Sequence, residues 1–145
     1  CIRDRLSAEG DEVFLFPTPQ QLCGLSGAQL MGCGLGYRTR YIQNAAAQAS
    51  SGTLDLGALA ALPDDALFSR LLELDGVGKK VANCVCLFGY GRTAMAPIDV
   101  WIQRLIDEEF GGRDPFPSYG QQAGIVQQYL FYYKRSTRRS VAHKK

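Results

Sequence analysis

The chain predicts an all-α fold, and three observations carry that reading. Apolar residues recur at helical spacing on both sides of a Gly76-Val77-Gly78 turn, and no convincing sheet pattern appears elsewhere. Helix-start signals recur at Thr18-Pro19, Ser26, Asp55, Pro63-Asp64-Asp65 and Asp99. Glycines at 32, 34, 89, 111 and 112 supply stops between them. Seven or eight short helices packed on one another form a multi-helix domain.

In chain order, residues 12–17 are an apolar run ended by Pro17, an extended N-terminal stub. Thr18 caps a short helix to about residue 25, and Ser26 caps the next, from 27 to 31. The turn Gly34-Leu35-Gly36 opens a long helix from Tyr37 to about residue 50, whose alanines at 45, 46, 47 and 49 favour helix and close packing. Asp55 opens another, to 62. Pro63 starts the first arm of a hairpin, and the second arm runs from Lys79 to about Phe88. A loop over 89–97 leads to Asp99, which caps a helix through Glu109. After a loop at 111–117, the last helix spans 119–133 and a basic tail follows.

Nearly half of the 145 residues are apolar and about a fifth are charged, as in ordinary soluble globules. No apolar run reaches the roughly 18 residues of a membrane span. The net charge of +2 hides an asymmetry: the tail 134–145 holds six of the 16 Lys and Arg and no acid. The body therefore sets ten basic against 14 acidic residues, so a grip on nucleic acid must be local. The five cysteines, at 1, 23, 33, 84 and 86, form no CxxC pair and read as buried, reduced thiols of a cytoplasmic protein. The chain opens on Cys1, and Cys1-Ile2-Arg3-Asp4-Arg5 matches the translation of a transposon end used in sequencing libraries. Residues 1–5 are therefore expected to be a non-native scar, 6–133 a partial domain and 134–145 the tail.

Function starts from Leu74-Asp75-Gly76-Val77-Gly78-Lys79-Lys80-Val81-Ala82-Asn83. Two glycines around an apolar residue make a tight turn, and the N–H groups opening the second helix lack intrahelical acceptors. With the helix dipole they form a place for a phosphate, the mark of a helix–hairpin–helix gripping a nucleic-acid backbone. Similar turns also join packed helices that bind nothing.

This stretch, with Ala96-Pro97-Ile98-Asp99-Val100-Trp101, resembles the helix–hairpin–helix DNA glycosylases, most closely the 8-oxoguanine DNA glycosylase/lyases of bacterial type. The resemblance implies Gly76, Val77, Gly78 and Lys79 on the DNA backbone, Lys80 as nucleophile and Asp99 as its partner. At pH 7 only about one free lysine in two thousand is neutral. A desolvated pocket in the first helical turn would lower that barrier. The amine could then attack C1′ of the sugar and hold it as a Schiff base. The second arm carries the chain roughly 15 Å from Lys80. The nine-residue loop spans up to about 30 Å, so Asp99 can return beside it. On the residues alone, both lysines are equally phosphate contacts and Asp99 a simple N-cap.

The resemblance further implies that Cys84, Trp101, Gln127 and Phe131 serve the base pocket, with Gln127 on the Watson–Crick edge and Phe131 stacked on the ring. Unaided, Cys84 and Phe131 read as core and Gln127 as surface. Tyr37 and Arg38 match the family's wedge and opposite-base residues. Trp101 departs from the pattern, since animal relatives carry histidine there and Trp cannot accept a proton. The implied activity is excision of 8-oxoguanine from double-stranded DNA with β-elimination at the abasic site, by a monomer. No cofactor is required, although a monovalent cation on the carbonyls of 76–78 is implied. The endonuclease III branch shares the hairpin, Lys and Asp, but its cluster-bearing members carry cysteines after the last helix, and none follows Cys86 here. A non-catalytic hairpin module that only docks on DNA is the other alternative. It leaves Asp99 and the Gln127/Phe131 pair unexplained.

Overall fold

A computed structural model describes residues 5–8 and 11–142. It is helical as expected, with one addition at the start. The extended stub is one strand of a hairpin, β1 (Arg5–Ala8) antiparallel to β2 (Asp11–Phe14), with Leu6 opposite Val13. Arg5, assigned to the scar from sequence, pairs with Phe14, while residues 1–4 lie outside the described residues. Among the described residues no helix is long and apolar enough to cross a membrane.

Two compact units make up the chain. The first comprises Cys1–Ala61 with Leu74–Gly76. Its helices are α1 (Pro19–Cys23), α2 (Gly27–Gly32), α3 (Thr39–Ser51) and α4 (Leu56–Ala60). Thr18 and Ser26 each form a full capping box, with the glutamine three residues on returning a bond to the cap N–H. A 3₁₀ turn, Gly36–Arg38, leads into α3, and Leu30, Ala46, Leu54 and Leu59 are buried. Cys23 and Cys33 are exposed, which corrects the expectation of buried thiols: α1 buries no residue and α2 only Leu30. Cys1 lies outside the described residues.

The second unit comprises Leu62–Glu73 and Val77–Lys145. It contains α5 (Asp64–Leu72), α6 (Lys79–Cys84), α7 (Val100–Glu109) and α8 (Ala123–Ala142). The second arm of the hairpin widens after Cys84 into a π-helical turn, Val85–Gly89, for which the sequence carries no signal. Ile102, Ile106, Phe116 and Ala123 form a buried cluster, with Ile98, Leu130 and Phe131 packed against it.

Two expectations about the last helix are corrected. It starts at Ala123 because Gly120, at φ 51° and ψ −124°, interrupts the 3₁₀ segment Phe116–Gln122. It also continues through Ala142, so most of the basic tail is helical; residues 143–145 lie outside the described residues. No Gly or Pro follows Tyr133, and Lys and Arg are good helix formers. Lys134 reaches back to the end of α7, with Nζ donating to Glu108 at 2.6 Å and Glu109 at 3.1 Å. These two hydrogen bonds, Glu108 first, raise the Lys134 pKa.

The loop between the π turn and α7 is packed onto the start of α8. Gly124 donates to the Thr93 carbonyl at 2.8 Å, and a Cβ on Gly124 would collide with the Met95 carbonyl and the Leu87 side chain. Arg92 holds the same loop from the other side, donating to the Leu62 carbonyl at 3.1 Å with its Nε 3.4 Å from Asp64. Because the collision is largely with backbone, Gly124→Val is expected to destabilise the fold by about 1–3 kcal/mol. Denaturant unfolding of the variant against wild type measures it.

Candidate active site

The second unit carries an open cleft of about 190 Å³ where α6, α7 and α8 meet. From α6 and the π turn come Lys80, Cys84 and Phe88, spaced four apart on one helical face. Pro97 and Asp99 come from the end of the loop, and Gln127, Gln128 and Phe131 from α8. Lys80 and Asp99, the reactive residues singled out in the sequence, thus line one cleft with three of the four residues expected at a base pocket. The fourth, Trp101, is not brought there. It is half-buried on α7 with the Arg104 guanidinium 5.6 Å from its ring centre.

Asp99 is the N-cap of α7. Its Oδ1 accepts from the N–H groups of Trp101 and Ile102, both at 2.9 Å, so the carboxylate orientation is set by the helix it starts. The cap uses one carboxylate oxygen and leaves the other out of it. Lys80 is the second residue of α6 and is exposed. The desolvated amine expected from sequence is therefore not in place: no described element covers it, and desolvation would have to come from a bound substrate. Of the neighbouring thiols, Cys84 is half-buried at the cleft while Cys86 is fully buried. Burial, and then the charge of Asp64, push the Cys86 thiol pKa up, so it is a packing group and not a nucleophile.

Gln127 is only 2% exposed, which corrects its reading as a surface residue. The turn spacing of α8 places it between the core cluster and the cleft, and its Oε1 accepts from Gln128 Nε2. Phe131 packs partly on the core, as expected, and also lines the cleft, with Arg135 5.5 Å from its ring centre. Phe88, Pro97 and Gln128 are the lining residues missed in the sequence. The spacing 80, 84, 88 would have found Phe88. Nothing local marks Pro97 or Gln128, which reach the cleft through packing of the loop and α8.

The hairpin glycines differ from expectation in an informative way. Gly76 is left-handed at φ +81°, and a Cβ there would run into the ring of Tyr41. Gly78 is extended, at φ −93° and ψ 176°, a conformation open to any residue, and nothing lies within 4 Å of where its Cβ would be. The fold thus demands glycine at 76 and not at 78. Gly78 caps α6 without a side-chain bond, Val77 is half-buried and Lys79 is exposed. In the first unit, Tyr37 is 70% exposed in the 3₁₀ turn, and Arg38 lies over its ring at 4.7 Å.

No family model matches the chain. A probable N-glycosylase/DNA lyase of Methanothermobacter thermautotrophicus is 30% identical over 154 residues, covering 87% of this chain and 49% of that protein. Among solved structures, MBOgg1 in complex with a low affinity DNA ligand superposes with a TM-score of 0.85 at 31% identity, over 94% of this chain and 50% of the other. The Clostridium acetobutylicum 8-oxoguanine glycosylase/lyase, in complex with double-stranded DNA containing cytosine opposite 8-oxoguanine, gives 0.83 at 27% identity over the same shares. The chain spans about half the length of these relatives. These homologues and structural neighbours are 8-oxoguanine N-glycosylase/DNA lyases of the helix–hairpin–helix glycosylase superfamily.

Proposed function

We propose that the protein excises 8-oxoguanine from double-stranded DNA and then cleaves the strand at the abasic site. The observation that carries this is the meeting of Lys80 and Asp99 at one cleft that Gln127 and Phe131 also line. A single extruded base suits that cleft, which lies below the roughly 300–1,000 Å³ of a drug-sized ligand site. Phe131 offers a stacking face. The buried Gln127 amide offers a donor and an acceptor to a Watson–Crick edge, and a base that mismatches them leaves a buried polar group unpaired. Cys84 and Phe88 border the same space.

In the reaction, the sugar of the extruded nucleotide covers the exposed Lys80 and removes it from water. Its neutral amine attacks C1′, and the bond to the base breaks with the electron pair leaving on the base. Asp99, held by the α7 N–H groups, stabilises the positive character of the sugar and takes up the ammonium proton. The departing base takes a proton from the newly bonded nitrogen, and the C1′–O4′ bond then opens, with O4′ taking the proton held by Asp99, to leave a Schiff base between Lys80 and C1′. Loss of a C2′ proton from that Schiff base expels the 3′ phosphate by β-elimination. Tyr37 and Arg38 are assigned to the wedge and the opposite base, and the hairpin from Gly76 to Lys79 to the DNA backbone. The open space at Gly78 supports that last role, because a side chain there would meet whatever approaches from outside.

This chemistry assigns no step to a cofactor. A monovalent cation on the carbonyls of 76–78 belongs to the same proposal. The neutral oxygen donors suit it, and the Gly78 carbonyl, already accepting from Ala82 at 2.9 Å, would offer its second lone pair. We place the protein in the cytoplasm, at the nucleoid if the cell is bacterial, acting as a monomer. The exposure of Lys80 favours one rival, a docking module in which this lysine only touches a phosphate.

Three outcomes test these roles in the full-length gene product. Borohydride should trap a covalent adduct with lesion DNA, and Lys80→Gln should abolish it while Lys79→Gln keeps it; an adduct that survives Lys80→Gln sinks the nucleophile assignment. Asp99→Asn keeps the cap and should slow excision by about 10²–10³-fold with DNA binding intact, as single-turnover kinetics would show. Gly78→Asp should weaken damaged and undamaged duplex equally, since backbone contacts carry no sequence information. In a lesion panel, excision of thymine glycol with 8-oxoguanine untouched would favour an oxidised-pyrimidine enzyme instead.

A further inference from the structure

Tyr41, on the first turn of α3, has no role in the reading above, yet its ring joins two parts of the first unit that do. Its edge meets the ring of Tyr37 at 6.2 Å between centres and 83° between planes, a T-shaped contact. The same ring fills the space beside Gly76 that a Cβ would otherwise take. Arg40 lies over the Tyr41 ring at 4.8 Å, donates to its hydroxyl at 3.2 Å, and holds Nε 3.9 Å from Asp75. Asn44, one turn further along α3, donates to the same Asp75 oxygen at 3.2 Å. Two consecutive hairpin residues are thus seated on α3, and the ring between them and Tyr37 is half-buried where Tyr37 is exposed.

We infer that Tyr41 is a positioning residue that couples the hairpin to the Tyr37 wedge, so that gripping the backbone sets the angle at which Tyr37 enters the base stack. An exposed aromatic side chain has free rotamers, and it wedges well only if something rigid stands behind it. Tyr41 supplies that backing, and Gly76 is glycine so that the ring fits. This inference rests on the assignment of Tyr37 as the wedge.

The test separates extrusion from chemistry in the full-length gene product. Tyr41→Leu is expected to slow single-turnover excision of 8-oxoguanine from duplex by about tenfold or more, and to remove most of the fluorescence rise of 2-aminopurine placed beside the lesion. Borohydride trapping on a preformed abasic site, where no base is extruded, should stay within about twofold, as should affinity for undamaged duplex. Tyr41→Phe keeps the ring and should match wild type in all four readouts. Asn44→Ala, at an exposed position, loosens the same seat without threatening the core and should move the first two readouts in the same direction. Wild-type excision and fluorescence in Tyr41→Leu overturn the inference, and so does an equal loss in all four readouts. A wild type that unstacks 2-aminopurine but traps no adduct removes the lyase reading and leaves the Tyr41 comparison intact. One that unstacks nothing overturns the coupling as well.

Discussion

Asp99 Oδ1 accepts two N–H bonds at the start of α7, and the site depends on that pair. A carboxylate on a free loop would sample many orientations. One that terminates a helix has a single well-defined direction and satisfies two orphan donors at once. The cap therefore fixes the carboxylate, because the geometry that starts α7 is the geometry that presents the acid at the cleft. Ile102, one of the two donors, is fully buried, so the anchor itself cannot drift.

Support for that anchor comes from the loop behind it. The start of α8 approaches so closely at Gly124 that a methyl group would not fit, and Arg92 ties the loop to the start of α5. The same helix that clamps the loop carries Gln127 and Phe131 one and two turns further on. Its position thus sets Gln127, Phe131 and the acid together. Lys134 closes the far end of the arrangement against Glu108 and Glu109 on α7. A pocket built from three helices and a loop needs such fixings, since each short helix alone buries little.

The two glycines of the hairpin show how one motif serves two purposes. Gly76 answers a demand of the fold, a left-handed backbone pressed against an aromatic ring. Gly78 answers no such demand, for its backbone is extended and its Cβ would stand in open space. At Gly78 the absent side chain leaves the main chain open to its surroundings.

Much of this was legible in the residue order because it is local. The caps at Thr18, Ser26 and Asp99, the start of α6 after Gly78 and the 80–84 spacing follow from interactions within one helical turn. They survive any tertiary arrangement. The β1–β2 pairing, the π turn after Cys84, the burial of Gln127 and the removal of Trp101 from the cleft could not be read that way. The last two depend on which faces meet across tens of residues. Helical continuation past Tyr133 was written in composition but hidden by charge, which reads as a solvated tail until Lys134 finds its carboxylates. The sequence by itself determined that the chain is helical and where its reactive groups stand along it. Only the tertiary structure decided which of them share a cleft, because that is set by the close approach of α8 to a loop no local pattern describes.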